Sequence, residues 1–183
     1  MEAKPDTWRR ESSKQIADCR VFTVREDACL REGNGQQATF FVVESPTWVN
    51  VIALTQSREV VLIKQFRHGI ETTIIEIPGG MVDPGEKPLD AAKRELVEET
   101  GYTSDSWTFL GKSHPNPAIQ NNEIFHYLAI DCERTGNIHF DDHESITTDL
   151  VPLDGVRRMI ADGKISHSLV VAAFYYLDHR SDQ

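Results

Sequence analysis

Glu95, Glu98 and Glu99 stand at i, i+3 and i+4, a spacing that brings three carboxylates to one face of a helix. Like charges at such offsets repel by roughly 0.2–0.5 kcal/mol per pair. The arrangement therefore calls for a compensating charge. A hard divalent cation supplies one, since Mg²⁺ takes oxygen ligands and is commonly held by a few carboxylates together with substrate phosphates. The neighbouring residues extend the pattern to Gly80-x5-Glu86-x7-Arg94-Glu95-Leu96-x-Glu98-Glu99-x-Gly101-Tyr102.

The elements that must position these groups are legible around them. Pro88 suits the first helical position, where its missing N–H costs nothing. Residues 89–100 are good helix formers, and Gly101 stands where a C-terminal cap belongs. Leu89, Ala92 and Leu96 share an apolar face away from the carboxylates. Pro78-Gly79-Gly80 turns out of the apolar run that contains Ile74, Ile75 and Ile77, and Pro84-Gly85 makes a second turn. Residues 49–54, 60–66 and 73–77 read as strands before the helix; 107–110, 124–130 and 146–151 read as strands after it. Helices are predicted over 154–161 and 168–179, the latter with Leu169, Ala172, Ala173 and Tyr176 on one stripe. Ahead of all this, 19–24 and 39–43 read as strands with a short run at 28–30 between them, and Gly33-Asn34-Gly35 signals a hairpin. Ser45-Pro46 punctuates a boundary. The prediction is an α/β chain with a small β domain over 1–46 and a mixed sheet packed by helices over 47–183.

Composition narrows the function classes. The chain has 183 residues, is 39% hydrophobic and carries a formal net charge of −10. Such a balance lacks the basic footprint of a nucleic-acid-binding surface. No apolar run reaches the length of a membrane span, and residues 1–14 are too polar for a signal peptide; a cytoplasmic location is expected. Three scattered cysteines suggest neither a disulfide framework nor a zinc site. Two short patterns fail on inspection. Gly111-Lys112-Ser113 lacks the leading glycine of a P-loop, because Ser106 occupies that position, and His139 with His143 lack the HExxH context. Trp8 and Trp48 could stack on a base, but aromatics beside apolar neighbours are more often simply packed.

The glycine–carboxylate pattern resembles the Nudix box and matches it at every defined position. Gln65-Phe66-Arg67 followed by Glu76-Ile77-Pro78-Gly79-Gly80, and a closing helix near the C-terminus, resemble the branch that hydrolyses ADP-ribose and nucleoside diphosphate sugars. The resemblance implies a Nudix fold, a mixed sheet sandwiched by helices, with a small N-terminal β domain. It implies a homodimer in which that domain is exchanged. It also implies Mg²⁺, with Mn²⁺ as a possible substitute, and hydrolysis of a nucleoside diphosphate-linked small molecule to a nucleoside monophosphate and a sugar phosphate. Neither a nucleic acid nor a membrane is implied as a partner. A triphosphate or dinucleoside polyphosphate hydrolase is one alternative, though such relatives are usually shorter. A non-catalytic ligand sensor is the other, though a sensor has no need of a full set of box carboxylates.

Residue by residue, the resemblance makes Glu95 and Glu99 metal ligands, with Glu98 beside them and the Gly79 carbonyl as a further donor. Arg94 is expected to orient a neighbouring carboxylate, Glu86 or Glu98, because guanidinium presents its donors in a rigid fork. The general base, or a further metal ligand, is expected on the late acidic loop: Glu144 first, with Asp142 and Glu98 as alternatives. Arg67 is a candidate for contact with phosphate or base, and its rival role is an ion pair with Glu76 across adjacent strands. Residues 114–123, rich in Asn and Gln, depart from the Ser-Pro-Gly-type segment of typical ADP-ribose hydrolases. Amide groups there imply different contacts to the sugar or terminal phosphate.

Overall fold

The computed structural model describes residues 5–140 and 145–180. Two compact units are distinguished: one takes the chain up to Pro46 together with Asn116–Asn122, and the other takes Thr47–Pro115 and the chain from Glu123 onward.

The first unit is a three-stranded antiparallel sheet in the order β1 (Trp8–Asp18), β2 (Thr23–Arg31), β3 (Gln37–Glu44). Its second hairpin turns where Gly33-Asn34-Gly35 predicts, with Gly35 at φ 72° and the Asn34 side chain accepting from the Gln36 N–H at 3.0 Å. The first hairpin corrects the sequence reading. Residues 19–22 form a turn with Arg20 at φ 67°, not the start of a strand, and the long strand lies before it. β1 is polar and exposed along nearly its whole length, so no hydrophobic alternation announces it. Pairing with β2 defines it instead, interrupted by two bulges. Asp27 is buried in this sheet and accepts from Ser13 Oγ at 2.6 Å and Arg25 Nε at 2.9 Å. Asn121 and Asn122 spend their amides locally, on Glu44, Ser45 and Pro46.

The second unit is built on a mixed seven-stranded sheet in the order β10-β5-β4-β9-β7, with β6 also on β5 and β8 also on β9. The strands are β4 (Trp48–Thr55), β5 (Glu59–Arg67), β6 (Thr72–Glu76), β7 (Tyr102–Thr103), β8 (Ser106–Ser113), β9 (Ile124–Arg134) and β10 (Ile146–Pro152). β4 and β9 run parallel, while the other pairs are antiparallel. Helix α1 (Pro88–Thr100) packs on one face; α2 (Leu153–Ala161) and α3 (Ser168–His179) pack on the other.

β4 shows why its sequence is a continuous apolar run. Val49, Val51 and Ala53 pack toward Ala91, Ala92 and Leu96 of α1; Ile52 and Leu54 pack toward Val156, Val170, Ala173 and Phe174 of α2 and α3. A strand buried on both faces has no polar side to alternate with. Asn50 is the exception and is fully provided for. Its Nδ2 donates to Leu169 O at 3.1 Å, so its Oδ1 must accept from the His126 Nδ1–H at 2.8 Å. The His126 Nε2 then accepts from the Ser113 hydroxyl at 2.9 Å. Burial lowers the His126 pKa to about 4, so this wholly buried ring is neutral at neutral pH. Among the described residues no helix is long and apolar enough to cross a membrane.

Candidate active site

α1 begins at Pro88 as predicted and ends at Gly101, whose φ of 71° is the left-handed value that favours glycine; its N–H donates to Val97 O. The helix buries Ala91, Ala92, Leu96 and also Glu99. That last residue is the informative one. A carboxylate almost never enters a protein interior without partners, and Glu99 Oε2 accepts from the Gly79 N–H at 2.9 Å.

The turn that supplies this N–H is held against β4. Val49 and Gly80 exchange backbone bonds at 2.9 and 3.1 Å, and Val51 N–H donates to Pro78 O at 2.8 Å. Close approach to a backbone carbonyl, rather than an unusual dihedral, requires Gly79, while Gly80 faces only the end of the Glu95 side chain. A Cβ on Gly79 would lie 2.2 Å from Val49 O, and one on Gly80 would lie 2.5 Å from the Glu95 carboxyl carbon. The box glycines thus let the turn settle directly onto a strand on one side and onto the acidic helix on the other.

Arg94 sits at the centre of the acidic face. Its Nε and Nη2 donate to the two oxygens of Glu86 at 3.1 and 3.0 Å, a fork-on-fork pair. Nη1 donates to Glu95 Oε1 at 2.8 Å and to Glu98 Oε2 at 3.0 Å, and Nη2 also reaches Met81 O at 3.0 Å. The sequence offers Glu86 or Glu98 as the partner; the structure gives both, and Glu95 besides. The Glu86 hydrogen bond raises the Arg94 pKa further, and Arg94 in turn lowers that of Glu86. Arg94→Lys keeps the charge but cannot serve three carboxylates from one plane. Because support of this kind typically carries a 10- to 100-fold effect, kcat should fall by about 100-fold, with a smaller loss in melting temperature. Turnover within about threefold of wild type would reject the orienting role.

One guanidinium shared by Glu86, Glu95 and Glu98, with Glu99 nearby, leaves an excess of negative charge on this turn. Among the described residues no three His, Cys, Asp or Glu side chains converge as a formed metal cage. The donor set nonetheless suits a hard cation: every candidate donor is a carboxylate or carbonyl oxygen, and Gly79, Glu95, Glu98 and Glu99 all line one cleft of about 830 Å³.

A second wall of that cleft comes from the β5–β6 pair and the start of α3. Glu76 is buried, and Arg67 grips it with Nε to Oε1 at 2.6 Å and Nη2 to Oε2 at 2.9 Å. This is the cross-strand pair that the sequence offers as the rival role for Arg67. His167 Nδ1 lies 2.9 Å from the same Oε2. Burial pushes the Glu76 carboxyl upward, but the contacts with His167 and Arg67 outweigh it and hold the pKa at about 2. The stability this provides is complete above the ordinary carboxylate range and is lost as pH falls toward about 2.

Trp48 lines the cleft, whereas Trp8 packs edge-on against Phe40 in the first unit. His139, dismissed as half of a zinc pair, also lines the cleft and donates its backbone N–H to the Glu98 carbonyl. His167 escapes sequence reasoning altogether. Its only signal is its position immediately before a predicted helix that closes on the sheet. Asp142, His143 and Glu144 lie outside the described residues.

Comparison with known proteins agrees with this geometry. A NUDIX domain profile matches residues 45–174. The chain is 32% identical over 166 residues to a methanol dehydrogenase activator of Bacillus methanolicus, covering 90% of this chain and 89% of the relative. It is 30% identical over 145 residues to an ADP-ribose pyrophosphatase of Bacillus subtilis, covering 79% and 78%. Among solved structures, an ADP compounds hydrolase superposes with a TM-score of 0.83 at 23% identity over 97% of this chain and 95% of that one, a shared fold. With the box residues folded onto one cleft and the domain matched over most of its length, the chain belongs to the Nudix family of hydrolases.

Proposed function

We propose that this hydrolase cleaves the diphosphate linkage of a nucleoside diphosphate-linked compound, ADP-ribose or a nucleotide sugar, to a nucleoside monophosphate and a sugar phosphate. One observation carries the reading: a single cleft joins an over-acidic helical turn to a wall that bears Arg67 on a buried carboxylate. A diphosphate needs both, because its oxygens must be neutralised and its position fixed. Relatives named for ADP-ribose hydrolysis support the substrate class.

In this account Glu95, Glu98, Glu99 and the Gly79 carbonyl hold Mg²⁺, with Mn²⁺ as a substitute. When bound, the ion neutralises phosphate oxygens and acidifies water. Arg94 keeps Glu95 and Glu98 in fixed rotamers, and Glu99 fixes the Gly79 turn. Arg67, oriented by Glu76, binds a substrate phosphate or the base. Glu144 takes the proton from the attacking water or serves as a further ligand. An activity panel tests the reading: ADP-ribose, UDP-, GDP- and ADP-sugars, NADH, diadenosine polyphosphates and nucleoside triphosphates, each with Mg²⁺ or Mn²⁺. Turnover confined to triphosphates would replace it with the alternative hydrolase class.

The reading includes a homodimer formed through an N-terminal domain over residues 1–46. A three-stranded sheet needs a hydrophobic face to bury, and this one exposes Ile16, Phe40 and Phe41. Sedimentation at working concentration should return twice the chain mass of 20.7 kDa. A fully active monomer contradicts the dimer while leaving the chemistry intact.

A further inference from the structure

Arg67 and Glu76 form one charge pair in the cleft, and His167 touches the same carboxylate. Its backbone is pinned, since its carbonyl accepts from the N–H groups of Val170 and Val171 at the start of α3. Its Nδ1 is shielded from solvent and faces Glu76, yet 33% of the side chain is accessible. The accessible part of the side chain therefore lies away from Nδ1, and His167 lines the cleft. A second polar group there is unspent: Gln65 Oε1 is buried without a partner among the described residues. Buried polar atoms are nearly always satisfied by protein, water or ligand. This wall thus carries hydrogen-bonding capacity that the fold itself does not use.

We propose that His167 is a substrate-binding residue, anchored through Nδ1 on Glu76 and presenting Nε2 to an anionic oxygen of the substrate alongside Arg67. The proposal deepens the pyrophosphatase reading and rests on it for the substrate class. Its electrostatics are simple. With a neutral imidazole the trio Arg67, Glu76 and His167 is charge-balanced; with an imidazolium it carries one net positive charge. The other charged groups lining the cleft are Asp83, Arg94, Glu95, Glu98 and Glu99, and His139 is the other imidazole. The carboxylates repel a phosphate, and a cationic His167, the form that lower pH favours, offsets them.

The test uses the full chain and His167→Asn, whose amide nitrogen can keep the Glu76 contact but leaves nothing at the Nε2 position. Kinetics with ADP-ribose are measured at about pH 6 and about pH 8. At the lower pH, KM should rise about tenfold, the size of one charge-assisted hydrogen bond, with kcat nearly unchanged. At the higher pH the difference should shrink to about threefold. His139→Gln should keep the wild-type pH dependence of KM. Calorimetry with inorganic pyrophosphate, without divalent metal, should show the same weakening in His167→Asn. That readout needs no turnover, so it stands apart from a failure of the pyrophosphatase reading, which would appear as wild-type protein inert toward ADP-ribose and nucleotide sugars. Should His167→Asn fold poorly by its thermal melt, His167→Ala, which likewise leaves nothing at the Nε2 position, replaces it in the same assays. Equal pyrophosphate affinities and equal KM values at both pH values would overturn the proposal. So would a loss confined to kcat, which would make His167 a proton-transfer group instead.

Discussion

Glu99→Gln should fold normally and lose activity by several orders of magnitude at saturating Mg²⁺. The substitution keeps side-chain size and helix propensity. Its Oε1 can still accept from the Gly79 N–H, the 2.9 Å bond that fixes the turn on β4. What disappears is a negative charge held in a buried position. Burying charge opposes folding, so the melting temperature should stay level or rise while turnover collapses. Opposite movements of stability and activity are the signature of a residue kept for chemistry. Glu99→Ala would be less informative, because it removes the turn's partner and leaves a void as well. A measured kcat close to wild type in Glu99→Gln would remove this residue from the catalytic account.

Glu144→Gln should lower kcat by about 10²–10⁴-fold, the usual worth of a positioned base, with little change in substrate affinity. Residues 141–144 lie outside the described structure, and the assignment rests on what the described carboxylates are already doing. Glu95 and Glu98 are held by Arg94, and Glu99 is occupied by a backbone N–H. A base that must accept and release a proton each turnover is better sought elsewhere, among the acidic residues that precede β10 in the sequence. Asp142→Asn should have a smaller effect. Steady-state kinetics of Glu144→Gln beside Glu98→Gln decide the matter. If the first kept nearly full kcat and the second abolished it, the base would reside on α1.

The parts of the fold that the sequence makes legible are those where local chemistry and burial agree. Pro88 and Gly101 bracket α1 because each is favoured by backbone terms that need no tertiary partner. α3 runs over Ser168–His179 as predicted, but its core-facing residues are Val170, Ala173, Phe174 and Leu177, so of the expected stripe only Ala173 joins that cluster. β1 is illegible for the opposite reason: Trp8–Asp18 buries almost nothing, and only its hydrogen bonds to β2 make it a strand. β7 has two residues, too few for any periodic signal.

The site divides along the same line. The types and spacing of Glu95, Glu98, Glu99 and Arg94 fix their common face. The sequence could not say that Arg94 serves three carboxylates at once, which depends on where the turn from Met81 to Glu86 folds back. Nor could it show that Glu99 is buried against Gly79, twenty positions away, or that His167 meets Glu76. Those contacts are made by packing α1 and α3 against opposite faces of β4, and no local pattern encodes them.

The most direct test of the central claim is to incubate the wild-type protein with ADP-ribose and Mg²⁺ in ¹⁸O-labelled water and examine the products by mass spectrometry. Hydrolysis of the diphosphate predicts AMP and ribose 5-phosphate in equal amounts, with one labelled oxygen entering one phosphate per turnover. The yield should vanish in Glu99→Gln. ADP-ribose that binds but is recovered intact and unlabelled, alongside equally intact nucleotide sugars, would contradict the account and leave a ligand-sensing role for the cleft.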